Sequence, residues 1–123
     1  MSIAMVFPGQ GSQSLGMQAD LAAEYAFAGE TYAQASEILG YDLWELVQTG
    51  PEERLGETVV TQPAMLTAGY VSWLAWRDAG GAEPEQMAGH SLGEYTALVC
   101  AGAIDFSDAM RVVKKRSELM QAA

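Results

Sequence analysis

Gln86-Met87-Ala88-Gly89-His90-Ser91-Leu92-Gly93-Glu94-Tyr95-Thr96-Ala97-Leu98-Val99-Cys100-Ala101 joins a short, partly apolar run, a G-x-S-x-G pentapeptide and a helical pattern in immediate succession. That order is a strand, a tight turn and a helix, which is the context a nucleophile elbow requires. It predicts Ser91 exposed on a strained turn, with Gly89 and Gly93 small enough to let strand and helix approach closely. The helix start then offers free N–H groups and a partial positive charge to a developing oxyanion. A plain Gly-rich turn is the alternative, because the pentapeptide alone is a weak signal.

Working outward, the 123 residues suffice for one domain with a real core, and half of them are hydrophobic. Cys100 is the single cysteine. It excludes an internal disulfide and a cysteine-based metal site, so no metal is expected. It lies in an apolar run and reads as a buried core thiol. The net charge of −10 argues against nucleic acid as a partner. No apolar run is long enough to span a membrane, and the apolar start Met1-Ser2-Ile3-Ala4-Met5-Val6-Phe7 is short, with no basic residue before it, and does not read as a signal peptide. A soluble, cytoplasmic protein is expected.

Residues 3–7 read as a short buried strand that Pro8-Gly9-Gln10-Gly11-Ser12-Gln13 breaks into a Gly-rich loop. Residues 17–28 and 29–39 read as helices, with Gly40 as a stop. Asp42 is positioned to cap a short helix through Val47, and Pro51 to open another turn. The clearest helix covers residues 62–78, with Thr61 as its N-cap and Gly80-Gly81 as its end. After the elbow, a helix stops near Gly102, and Ser107 caps a last helix from Asp108 onward. A β-α-…-α-β-α order with few strands predicts an α/β fold, a partial parallel sheet flanked by helices. The last helix meets no Gly, Asn or Pro before Ala123, which points to a piece of a longer protein.

A serine nucleophile needs a base. His90 is the only histidine, but adjacent residues on a sharp turn diverge, so it reads as a residue flanking the elbow. The base is therefore expected beyond Ala123, unless the site is not hydrolytic. At helical spacing, Ala109, Val112, Val113, Leu119 and Met120 share a face with Arg116, while Arg111, Lys114 and Lys115 fall opposite. An arginine in an apolar stripe needs a partner, and its planar fork suits a carboxylate. Snorkelling, or pairing with a structural glutamate, is the other reading of Arg116. In a parallel sheet, the loops after both strands gather at one edge. The backbone N–H of Gln10 is thus expected to face the elbow and join that of Leu92 as an oxyanion hole. Gln62 is positioned either to point its amide into the site or to sit on the surface. The methionines at 17, 65, 87, 110 and 120 read as core fillers, and Trp44, Trp73 and Trp76 as core or half-buried.

Four segments together resemble one family: Phe7-Pro8-Gly9-Gln10-Gly11-Ser12-Gln13, Thr61-Gln62-Pro63-Ala64, Gly89-His90-Ser91-Leu92-Gly93-Glu94-Tyr95 and Lys115-Arg116-Ser117-Glu118-Leu119-Met120-Gln121. They are similar, in order, to the signatures of malonyl-CoA:acyl-carrier-protein transacylases of bacterial fatty-acid synthesis. Acyltransferase domains of polyketide synthases are relatives. The resemblance implies the N-terminal part of that fold's hydrolase-like large subdomain over residues 1–123, with its ferredoxin-like subdomain absent. It implies ping-pong transfer of malonyl from malonyl-CoA, through a malonyl ester on Ser91, to the phosphopantetheine thiol of acyl carrier protein. Gln10 and Leu92 would supply the oxyanion hole, Arg116 the malonyl carboxylate clamp and Gln62 a wall of the site. No resident cofactor is implied, since malonyl-CoA is a substrate. The family's catalytic histidine lies in a later segment, so this chain alone is expected to be inactive. A serine esterase or thioesterase shares the elbow, and a non-catalytic carrier-protein or coenzyme-A binding module shares the surface; both remain rival readings.

Overall fold

The computed structural model describes residues 2–123. Its elements are β1 (Ala4–Phe7), α1 (Ala19–Glu24), α2 (Ala26–Leu39), α3 (Leu43–Thr49), α4 (Glu52–Leu55), α5 (Thr58–Asp78), β2 (Gln86–Gly89), α6 (Gly93–Cys100) and α7 (Phe106–Ala122). The two strands pair in parallel, in register from Ala4 opposite Gln86 to Phe7 opposite Gly89. Parallel pairing puts both carboxyl ends on one edge, so the loops after β1 and β2 lie side by side. The His90 N–H extends the pairing by donating to the Phe7 carbonyl at 3.1 Å.

α5 is the axis of the molecule. Residues 60–68 of it are buried without interruption, as expected of a helix covered on all sides. α2, α6 and α7 pack around it. The main core joins Tyr32, Leu43, Val47, Leu66, Met110 and Val113. The Tyr32 ring meets Trp44 edge-on at 4.8 Å, and Tyr70 stacks on Phe106 at 5.1 Å. A smaller cluster of Phe7, Trp73, Ala97 and Cys100 ties the sheet to α5 and α6.

Several expectations shift. Within these residues β1 is covered on one face only: Phe7 is inside and Val6 is 69% exposed. The first helical region breaks at Tyr25, whose backbone is extended, so Gly29 lies inside α2 instead of opening a helix. α1 starts at Ala19 because Gln18 is left-handed, φ 66°. Its side chain is anchored by the Ala68 carbonyl, the Ser72 hydroxyl and the Tyr32 hydroxyl, which offset that strain. Asp42 caps α3, accepting from the Glu45 N–H at 3.0 Å, and the helix runs on to Thr49. Pro51 sits at the N-cap of α4, one place before the first helical position.

α5 begins one turn earlier than residue 62. Thr61 is fully buried inside it and is not its cap; the Thr61 hydroxyl donates back to the Glu57 and Leu55 carbonyls. Asp105, not Ser107, caps α7, accepting the Ser107 N–H at 3.1 Å, while the Ser107 hydroxyl meets Gln34 of α2. The buried stripe of α7 is Phe106, Ala109, Met110, Val113 and Ser117. Val112, Leu119 and Met120 are exposed, since the helix is rotated so that the row through residues 106, 110, 113 and 117 faces α5 and α2. Trp73 is core and Trp76 is 39% exposed, in keeping with a core or half-buried reading, its indole N–H donating to the Ala82 carbonyl. No helix of the described residues is long and apolar enough to cross a membrane.

Candidate active site

The turn between β2 and α6 has the geometry its composition demands. Ser91 is exposed with φ 57°, a left-handed backbone that a non-glycine residue adopts at a cost of about 1–2 kcal/mol. The turn is closed by the Gly93 N–H to the His90 carbonyl and the Glu94 N–H to the Ser91 carbonyl, each 3.0 Å. A Cβ on Gly89 would collide with the Gly93 backbone, and one on Gly93 with the Phe7 carbonyl. Strand β2 and helix α6 therefore cross at a distance that only glycine permits. α6 starts directly after Leu92, which sets the positive end of its dipole beside the elbow, while its Gly93, Glu94 and Tyr95 amides are taken by the His90, Ser91 and Leu92 carbonyls.

The β1 loop faces the same point. Gly9 is buried against the His90 carbonyl, 2.6 Å from where a Cβ would stand. Gln10 follows, exposed. Among the described residues, neither the Gln10 nor the Leu92 backbone N–H donates a hydrogen bond. Two unengaged backbone donors thus belong to two loops that pack together at Gly9 and His90. His90 is exposed, its ring near Gly9, and no hydrogen bond joins it to Ser91 among the described residues.

From the opposite side, α7 delivers Arg116. It is half-buried at the border of the apolar stripe. One guanidinium N–H donates to the Ser91 hydroxyl at 3.3 Å and another to the Gln62 side-chain oxygen at 2.6 Å. The guanidinium also lies over the Tyr95 ring, 5.4 Å from its centre. The ion pairs of the described residues are Arg54–Glu57, Arg111–Asp108 and Lys114–Glu118. Arg116 is outside all of them. Its fork is held by a neutral amide, so its positive charge stays uncompensated beside the serine. Gln62 is 1% exposed, which removes the surface reading of that residue. Its amide N–H groups donate to the Thr58 hydroxyl at 2.9 Å and the Met120 sulfur at 3.3 Å.

Ser91, Arg116, Gln62, Gln10, Leu92, His90 and the two glycines are therefore gathered at one edge from four separate elements. Thr58, Tyr95 and Met120 belong to the same assembly and escape sequence reading. Thr58 stands four residues before Gln62, one helical turn away, a relation hidden when the helix is started at residue 62. Met120 reads as core but sits half-exposed on Gln62. Cys100 is buried, and burial pushes its thiol up to about 12, so it is not a nucleophile. No group of three His, Cys, Asp or Glu among the described residues is disposed to hold a metal ion.

The acyl transferase domain matches residues 4–123. The malonyl CoA-acyl carrier protein transacylase of Escherichia coli (strain K12) is 59% identical over 120 residues, which cover 98% of this chain and 39% of that protein. The crystal structure of an acyl carrier protein S-malonyltransferase from Vibrio cholerae superposes with a TM-score of 0.95 at 57% identity, over 98% of this chain and 40% of that one. PlMCAT in the holo PlMCAT:AntF complex, a type II PKS acyl-carrier protein with its malonyl-transacylase, also gives a TM-score of 0.95, at 59% identity over 99% and 40% of the two chains. The chain thus spans about two-fifths of the length of these relatives. Matched over residues 4–123, and with an arginine hydrogen-bonded to the serine of its strand-turn-helix elbow, the chain belongs to the acyl transferase domain family.

Proposed function

We propose that the protein containing this chain moves malonyl from malonyl-CoA to the phosphopantetheine thiol of acyl carrier protein, for fatty-acid biosynthesis in the cytoplasm and without a resident cofactor. The observation that carries the reading is Arg116, free of any carboxylate among the described residues and 3.3 Å from the Ser91 hydroxyl. A planar cation held beside a nucleophile suits an acyl group with a carboxylate at its far end. A hydrolase of neutral esters has no use for that charge, which sets the esterase reading aside.

In the proposed reaction, the Ser91 oxygen loses its proton to a general base and attacks the thioester carbon. The carbonyl oxygen takes the negative charge, facing the Gln10 and Leu92 N–H groups. The carbon–sulfur bond breaks, coenzyme A leaves as the thiol, and malonyl remains as an ester on Ser91. The carrier thiol then attacks that ester and Ser91 recovers its proton. His90 faces Gly9, so we assign the base to a residue outside these 123. Residues 1–123 are then part of the acyltransferase domain and inactive alone, since losing a member of such a unit costs orders of magnitude in rate.

Intact-protein mass spectrometry after incubation with malonyl-CoA tests this on the full-length protein. A malonyl adduct is expected on wild type and absent from Ser91→Ala. Arg116→Ala should lower kcat/KM for malonyl-CoA about 100-fold or more while acetyl-CoA turnover falls far less. Malonyl preference surviving that change would sink the carboxylate clamp.

A further inference from the structure

We infer that Thr58 is a positioning residue that couples the Arg116 clamp to the loop carrying the Gln10 N–H; the inference rests on the functional reading above. Four side chains form one unbroken line. Arg116 donates to the Gln62 oxygen at 2.6 Å, the Gln62 amide donates to the Thr58 hydroxyl at 2.9 Å, and that hydroxyl donates to the Gln10 side-chain oxygen at 2.7 Å. Its polarity is imposed from one end. A guanidinium has only donors, so Gln62 must turn its oxygen towards Arg116 and its N–H groups away. The Thr58 oxygen must then accept, which leaves its single proton for Gln10. Such chains polarise in one direction, and here the source is a cation.

The position of Thr58 points the same way. It is the first residue of α5, one place past the N-cap Glu57. α5 has no side-chain cap bond, and the Val59 N–H is taken by Gln121 of α7 at 3.1 Å, so the Thr58 hydroxyl serves neither. The hydroxyl is spent on a connection 48 residues back in the chain. Gln62 is 1% exposed, so without Thr58 its amide would keep only a thioether as acceptor, and both amides would lose the partner that fixes their orientation.

The full-length protein carrying Thr58→Val, which keeps the shape and deletes the hydroxyl, tests the inference against Thr58→Ser, which keeps the hydroxyl. Two readouts are taken: kcat/KM with malonyl-CoA, and amide hydrogen exchange over residues 8–13. Thr58→Val should lower kcat/KM about tenfold and speed exchange of the loop about tenfold, with Thr58→Ser within about twofold of wild type in both. Gln10→Met removes the same bond from its exposed end and should reproduce the faster exchange, even if Thr58→Val fails to fold. Equal losses in the valine and serine variants would overturn the inference, because the hydroxyl would then not matter. So would unchanged exchange in both Thr58→Val and Gln10→Met. If wild type forms no malonyl-serine but the loop still loosens in Thr58→Val and not in Thr58→Ser, the functional reading fails and the coupling stands.

Discussion

At the scale of single residues, the elbow is a strained turn bought with two glycines. Ser91 holds φ 57° because Gly93 must press against the Phe7 carbonyl and Gly89 against Gly93. The strain is measurable. Ser91→Gly should be more stable than Ser91→Ala by about 1 kcal/mol in urea unfolding of the full-length protein, since only glycine relaxes at positive φ. Equal stabilities would mean that the turn carries no backbone strain. The spacing of Gly89, Ser91 and Gly93 was legible in the sequence, because close approach needs small residues at fixed offsets. The union of Arg116 with Gln62 was not, because 54 positions separate them and no local rule links two helices.

Helix starts and faces were legible only in part. Thr61 and Pro63 look like a start signal, yet α5 begins at Thr58 and buries both. Tertiary contacts override the local preference: Gln121 of α7 serves the Val59 N–H and Thr58 reaches Gln10, so the extra turn has partners. On α7, periodicity found an amphipathic helix but placed its face too far round, towards Val112 and Leu119. The buried row predicts a clear contrast. Val113→Ala should destabilise by about 2 kcal/mol. Val112→Ala, 45% exposed, should stay within about 0.5 kcal/mol. Thermal melts of both variants check the rotation, and the reverse ranking would contradict it.

Across the whole molecule, burial sets the response to alkali. Burial pushes the Cys100 thiol from 9.0 up to about 12, and the Tyr41 hydroxyl from 10.0 to about 12 against the opposing pull of Arg54. Tyr32 moves upward for the same reason. These groups ionise more easily in the unfolded chain than in the fold. Their contribution to stability is therefore complete below about pH 9 and is lost as pH rises towards about 12. Unfolding midpoints should fall steadily above pH 9, and Cys100→Ala should flatten the first part of that fall. By itself the sequence determined the α/β class, the elbow and its glycines, the buried thiol and the Asp42 cap, because each follows from spacing or composition within a few residues. Only the tertiary structure decided which face of α7 is buried and that Ser91, Arg116, Gln62, Thr58 and Gln10 meet at one edge of the sheet. Those outcomes depend on how α5 packs against α7 and on parallel pairing of residues 82 positions apart, and free energies of that kind leave no trace in local pattern.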